Sequence, residues 1–358
     1  MLIFLIIVLL LSKILKACFI IQINKHLSND FTKDQLLFFI FDIKSKVMIK
    51  HSLICLLFDN PNGRFKTLRY NQDNSIEKII EVYRHNLKNL QYILDYCHQQ
   101  KINSYRISCD LFPLLGAQKF EDQINIVLEV LNNEIKNIKT YNIELSLHPD
   151  QFILLSSLNQ NVNKNSIYFL NRWAQINLPI NLINIHIGSK AAGFDKHKEI
   201  FIDQFDKLSA AAQNKLSIEN DEKNYSIKEI INIAKEAKIK IVPDFHHERC
   251  YQKRLNSEKL SLKEHYSLNK KIDENIFNNI DLIFNSYKKE TPLFHLSSPR
   301  GGWQASFKEQ CSHADYIDLL DYPLDILSFN KDIRLDIEAK AKEKAIIKLN
   351  KQLKKIIK

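Results

Sequence analysis

The chain has 358 residues, 45% hydrophobic and 26% charged, ordinary values for a soluble globular protein able to bury a sizeable core. A formal net charge of +10 points to an anionic partner, nucleic acid before membrane surface, although lysine-rich codon usage would give the same count. Six cysteines without a CxxC pair or regular spacing exclude a disulfide framework and a cysteine-based zinc site, and none sits in a nucleophile motif.

In chain order, residues 1–47 come first and differ in kind from the rest. They open with MLIFLIIVLLLSKILKACFIIQIN, and no acidic residue occurs before Asp30. A positive n-region and a small-residue cleavage site are missing, and Lys13 and Lys16 interrupt the roughly 20 apolar residues that a membrane span needs. Three readings stay open: an inefficient anchor with membrane contact, an amphipathic surface helix, or translated upstream sequence. Met48 in MIKHSLICLLF reads as a natural start, which makes 48–358 the folded domain.

From residue 52, short apolar runs alternate with helical patterns. Strands are expected at 52–58, 105–108, 143–148, 182–187, 216–220, 239–245, 293–297 and 333–339. Between them, stretches such as SIEKIIEVYRHNLKNLQYILDYCHQQ repeat apolar residues at i, i+3, i+4 and i+7. Ser226 and Glu229 have capping-box spacing. Pro243 belongs at a bulge or strand end, not at a regular central position. Residues 246–292 read as helix and loop decoration, and the lysine-rich tail after Glu338 as a last amphipathic helix. Eight strands, each followed by helix, form the pattern of a (β/α)8 TIM barrel.

The polar residues then fall in one place. His148 ends the third strand, His186 lies on the fourth, Glu219 on the fifth, Asp244 and His247 end the sixth, His295 lies on the seventh and Glu338 on the eighth. His313 follows in the loop after the seventh. Such ends converge on one barrel mouth, where the active sites of this fold lie. A lone strand histidine is usually a satisfied rim residue, but that explanation has to hold independently at six strands. Converging carboxylates also repel one another. No Lys or Arg recurs at the matching ends, so two or three divalent ions are expected. The mixed nitrogen and oxygen set suits zinc, manganese or iron better than calcium or magnesium. Paired ions serve phosphoester hydrolysis, and also sugar isomerisation in such barrels.

YRISCDLFPL, LSLHPDQFILLSS, INIHIGS, LSIENDEKNYS, VPDFHHERC, FHLSSP, HADYID and LDIEAKAKE, in this order over residues 50–348, resemble the UV damage endonuclease family. The resemblance implies a (β/α)8 barrel with its metal site at the carboxyl ends of the strands. It implies a nick immediately 5′ of a UV photoproduct or other lesion, leaving a 3′-hydroxyl. It further implies ligands at His148, His186, Glu219, Asp244, His247, His295, His313 and Glu338, with Glu219, Asp244, His247 and Glu338 catalytic, and Gln151 and Phe152 as a lesion probe. Mn2+ is the expected ion, with Zn2+ or Mg2+ as alternatives. A monomer acting on damaged double-stranded DNA in the cytoplasm, at the nucleoid and without an organic cofactor, completes the expectation.

The chain departs from the family pattern at three places. Leu115, Gly116, Ala117 and Gln118 stand where a further ligand histidine is usual. Leu53 and Leu57 replace a site-facing Tyr and Asn, and Leu293 replaces a lysine two residues before the HxSS histidine. Hydrolysis is expected to survive, with altered specificity or rate. The alternatives are a metal-dependent sugar isomerase or epimerase and a decayed, non-catalytic damage binder.

Overall fold

The structure is a computed structural model describing residues 48–255, 260–329 and 331–357. The readings of residues 1–47 lie outside the described residues. All eight expected strands form: β1 (Ile49–Cys55), β2 (Ser104–Ile107), β3 (Glu144–Leu147), β4 (Ile180–His186), β5 (Leu216–Glu219), β6 (Lys240–Val242), β7 (Leu293–Leu296) and β8 (Ile333–Ile337). They pair in parallel in the order β6-β5-β4-β3-β2-β1-β8-β7. The remaining edges meet through an isolated parallel bridge between Asp244 and His295, with the His295 amide donating to the Pro243 carbonyl at 2.9 Å. Pro243 thus lies just beyond β6, where its missing N–H costs no ladder bond and its carbonyl closes the barrel.

The helices are α1 (Ile76–Gln99), α2 (Glu121–Lys136), α3 (Gln160–Gln175), α4 (Phe194–Asp206), α5 (Ala210–Lys215) and α6 (Ile227–Ala237). There follow α7 (Phe245–Arg254), α8 (Leu262–Phe277), α9 (Ile280–Ser286), α10 (Phe307–Gln310) and α11 (Glu343–Ile357). The Ser226–Glu229 capping box opens α6 as expected. The outward faces of the strands and the inward faces of the helices share one large apolar core, in which Leu53, Tyr105, Leu145 and Ile183 stand in successive strands. Both faces of a parallel sheet are covered in this way, so the strands are buried almost throughout.

Residues paired across parallel strands share a face. The pairs Ser52–Asp336, Ile54–Arg106, Arg106–Ser146, His186–Glu219 and His295–Asp336 therefore define the barrel interior. This parity corrects the expectation for the first strand. Leu53 points outward into the apolar core, Leu57 lies in that core beyond the strand, and Ile54 faces the mouth. A shift of one residue exchanges the two faces of a strand. Leu293 does face inward, two residues below His295, and closes a small apolar cluster with Leu182, Val242 and Tyr287.

The 246–292 segment is more than decoration. Arg249 of α7 is buried and grips Asp273 of α8 with both Nε (2.8 Å) and an Nη nitrogen (2.6 Å), while its other Nη donates to the Asp321 carbonyl at 2.9 Å. This clamp holds α7, which carries His247, against the barrel. Removing one partner of a buried ion pair leaves an uncompensated charge, so Arg249→Ala should lower stability by about 3–5 kcal/mol in urea unfolding. The double substitution Arg249→Met with Asp273→Leu should cost clearly less; equal losses would show that the pair does not act as a unit.

Candidate metal centre at the barrel mouth

Each expected ligand is placed by a local device. His148 follows β3, and its Nδ1 lies 2.9 Å from the Pro149 carbonyl, which turns Nε2 toward Glu219 at 3.0 Å. His186 ends β4 with Nε2 2.8 Å from the same Glu219 oxygen. Asn184, two residues earlier on the same face, donates to the other oxygen at 2.6 Å. Asp244 is the N-cap of α7: its Oδ1 accepts the His247 amide at 2.7 Å, and the D-x-x-H spacing brings the His247 ring back over the mouth. That ring's Nδ1 lies 3.1 Å from the Asn220 carbonyl. His295, on β7, points Nδ1 at Glu219 (2.7 Å), Glu338 (3.4 Å) and Asp244 (3.9 Å). His313 is tied to Pro299 by an antiparallel bridge and places Nε2 3.5 Å from Glu338.

The carboxylates sit almost dry, with Glu219 1%, Asp244 0% and Glu338 6% exposed. Burial by itself would raise the Glu219 pKa, but His186, His148 and His295 outweigh it and hold the carboxyl well below the usual range. Burial is likewise overcome at Glu338 by Arg106, His295 and His313. The reciprocal effect falls on the imidazoles. Against the cost of burial, Asp244, Glu219 and Glu222 push His247 up to about 10, and Glu219 and Glu338 push His295 up to about 9. Burial wins at His148 and His313, whose pKa values are lowered.

Two residues not anticipated belong here. Arg106 of β2 pairs with Glu338 and lies 3.5 Å from Asp336 Oδ2, a single basic residue inside the barrel that a pattern of recurring Lys or Arg does not reveal. Asp336 is fully buried. Period-two alternation from Glu338 back to Asp336 carries a sequence signal for Asp336, whereas Arg106 is brought to the site only by strand pairing. One guanidinium against the carboxylates of Glu219, Asp244, Asp336 and Glu338 still leaves a large negative excess.

The donor atoms fit a metal better than they fit one another. Asp244 Oδ2, His186 Nδ1 and both His295 nitrogens are buried without a hydrogen-bond partner, although His295 Nδ1 is only 2.7 Å from a carboxylate oxygen. Native interiors rarely leave such groups unsatisfied. Among the described residues two trios bring one ligand atom each within 4.8 Å: His148, Glu219 and His295, and Asp244, His295 and Glu338. His186, His247 and His313 ring these trios. No donor comes from 115–118: Leu115 is buried, Gly116 abuts the Phe169 ring, Ala117 packs on the core and Gln118 is exposed. The mouth opens into a cleft of about 340 Å³ lined by Ile54, Cys311, His313, Glu338, Lys340 and Lys342. Gln151 and Phe152 lie in the loop after β3, both exposed, Phe152 by 73%.

Known proteins resemble this chain in sequence and in fold. The chain is 34% identical over 218 residues to the UV DNA damage endonuclease of Nostoc sp., covering 56% of this chain and 65% of that protein. It is 30% identical over 302 residues to the Clostridium perfringens protein of the same name, covering 80% and 66%. The matches thus span slightly less than two thirds of these two relatives, against 84% of a Bacillus cereus relative that is 28% identical and covers 78% of this chain. The crystal structure of SacUVDE superposes with a TM-score of 0.68 at 24% identity, over 86% of this chain and 100% of that one, which shows the shared barrel fold. The family pattern described as UV-endonuclease UvdE matches residues 55–358, and the chain belongs to that family.

Proposed function

We propose that this protein is a metal-dependent DNA repair endonuclease that hydrolyses the phosphodiester immediately 5′ of UV photoproducts. The observation that carries the reading is the set of buried, unpartnered donor atoms around Glu219, Asp244 and His295 at a barrel mouth that opens beside Lys340 and Lys342. His148, His186, Glu219, Asp244, His247, His295, His313 and Glu338 would hold two divalent ions, Mn2+ first. When bound, paired ions activate water and stabilise the attacking and leaving oxygens of a phosphoester.

The chain's own groups do the positioning. Arg106 fixes Glu338, Asn184 fixes Glu219, and the helix cap fixes Asp244, so the three carboxylates keep their orientation without reorganisation. The net charge of +10 and the lysines at the cleft favour a polyanionic backbone over a neutral sugar. Phe152 offers an exposed ring beside the amide of Gln151, suited to fill the space of weakly stacked, damaged bases.

Substitution of Glu219 or Asp244 by Ala should abolish nicking of irradiated plasmid while leaving duplex binding, measured by fluorescence anisotropy, largely in place, because phosphate contacts supply most of the affinity. Chelation should do the same reversibly. Wild-type cleavage by either variant would remove the metal assignment, and aldose turnover without nicking would move the protein to the isomerases.

Phe152→Ala tests the probe separately from the chemistry. Base–aromatic stacking is worth about 1–3 kcal/mol per base, or roughly 5- to 150-fold. The ratio of cleavage on irradiated to undamaged duplex should fall by a factor within that range, with metal content and melting temperature unchanged. A preserved ratio would take Phe152 out of lesion recognition.

A further inference from the structure

We infer that Asp336 is the positioning residue of the metal centre: it accepts the Nε2–H of His295 and so commits Nδ1 of that ring to the metal. His295 is the one residue common to both ligand trios, and in both its Nδ1 faces the carboxylates. A neutral imidazole carries its proton on one nitrogen only, and the nitrogen that ligates must be the bare one. Nδ1 can be bare only if Nε2 keeps the proton, and a buried N–H needs an acceptor. The carboxylate facing Nε2 is Asp336, with Oδ2 3.4 Å away.

Asp336 has the matching problem. It is fully buried, neither of its oxygens has a hydrogen-bond partner, and Nε2 of His295 likewise has none. The two unsatisfied groups are register partners across β7 and β8, so the sheet itself sets them side by side. Arg106 lies 3.5 Å from the same Oδ2 and pairs with Glu338, so it neutralises Asp336 without saturating it. Drawing the ring a few tenths of an ångström closer to Asp336 would complete a charge-assisted hydrogen bond and open the 2.7 Å contact between Nδ1 and Glu219. Carboxylate–histidine–metal relays fix ring orientation and tautomer in this way, and losing the outer partner typically weakens metal binding about 10- to 100-fold.

The inference rests on the metal-centre reading, and the test separates the two. Mn2+ is titrated into the full chain without DNA, with free Mn2+ followed by electron paramagnetic resonance, for wild type, Asp336→Leu and Asp336→Asn. Asp336→Leu should bind about 10- to 100-fold more weakly. Asp336→Asn has no charge but keeps a carbonyl acceptor, and should lie closer to wild type than to Asp336→Leu. Equal weakening by both would assign the effect to charge and overturn the hydrogen bond; unchanged affinity in Asp336→Leu would overturn the role altogether. If wild type itself bound no Mn2+, the metal-centre reading and this inference would fall together. Folding of the variants does not limit the test, because the tautomer is readable in wild type. In histidine-labelled, Zn2+-loaded protein, long-range 1H–15N correlation should find His295 protonated at Nε2, and protonation at Nδ1 would overturn the proposal.

Discussion

Four carboxylates, those of Glu219, Asp244, Asp336 and Glu338, are held inside one barrel mouth with almost no access to water, and their mutual repulsion governs the rest of the site. In a poorly solvated interior such charges must be paired or neutralised. Arg106 answers part of the demand at Glu338 and Asp336. The imidazoles of His247 and His295, whose pKa values these carboxylates raise, answer another part. Asp244 Oδ2 and both His295 nitrogens still remain buried without a hydrogen-bond partner. A site this costly to assemble is weak evidence for stability and stronger evidence for chemistry.

The closure of the barrel and the assembly of the site are one event. The edges of β6 and β7 meet through Asp244 and His295, two of the candidate ligands, with Pro243 supplying the acceptor. Asp244 also starts α7 and thereby sets the His247 ring, while the Arg249–Asp273 clamp holds that helix from behind. One aspartate thus serves the cap through Oδ1 and leaves Oδ2 for the mouth.

The departures from the family pattern fall around this centre without entering it. Leu293 extends an apolar layer beneath His295, and residues 115–118 contribute packing and surface in place of a donor. The two trios remain complete because every member comes from β3, β5, β6, β7 or β8 or the residue or two that follow. Residues 115–118 supply no donor, so among the described residues the two trios stand as the minimal candidate centre.

Sequence alone pointed to the barrel, because apolar runs alternating with helical patterns dictate strands and helices, and to a cluster of candidate ligands, because His, Asp and Glu recur at the carboxyl ends of those strands. That His148, His186, Glu219, Asp244, His247, His295, His313 and Glu338 gather at one mouth was readable in that way. What only the tertiary structure decided is parity and pairing. Whether Leu53 or Ile54 faces the mouth depends on strand register, which the all-apolar run around them does not encode. That Arg106 meets Glu338, 232 residues away, and that Asp336 faces the far side of the His295 ring, follow from β1, β2, β7 and β8 lying side by side in the closed sheet. Contacts made only when distant strands become neighbours leave no local pattern to read.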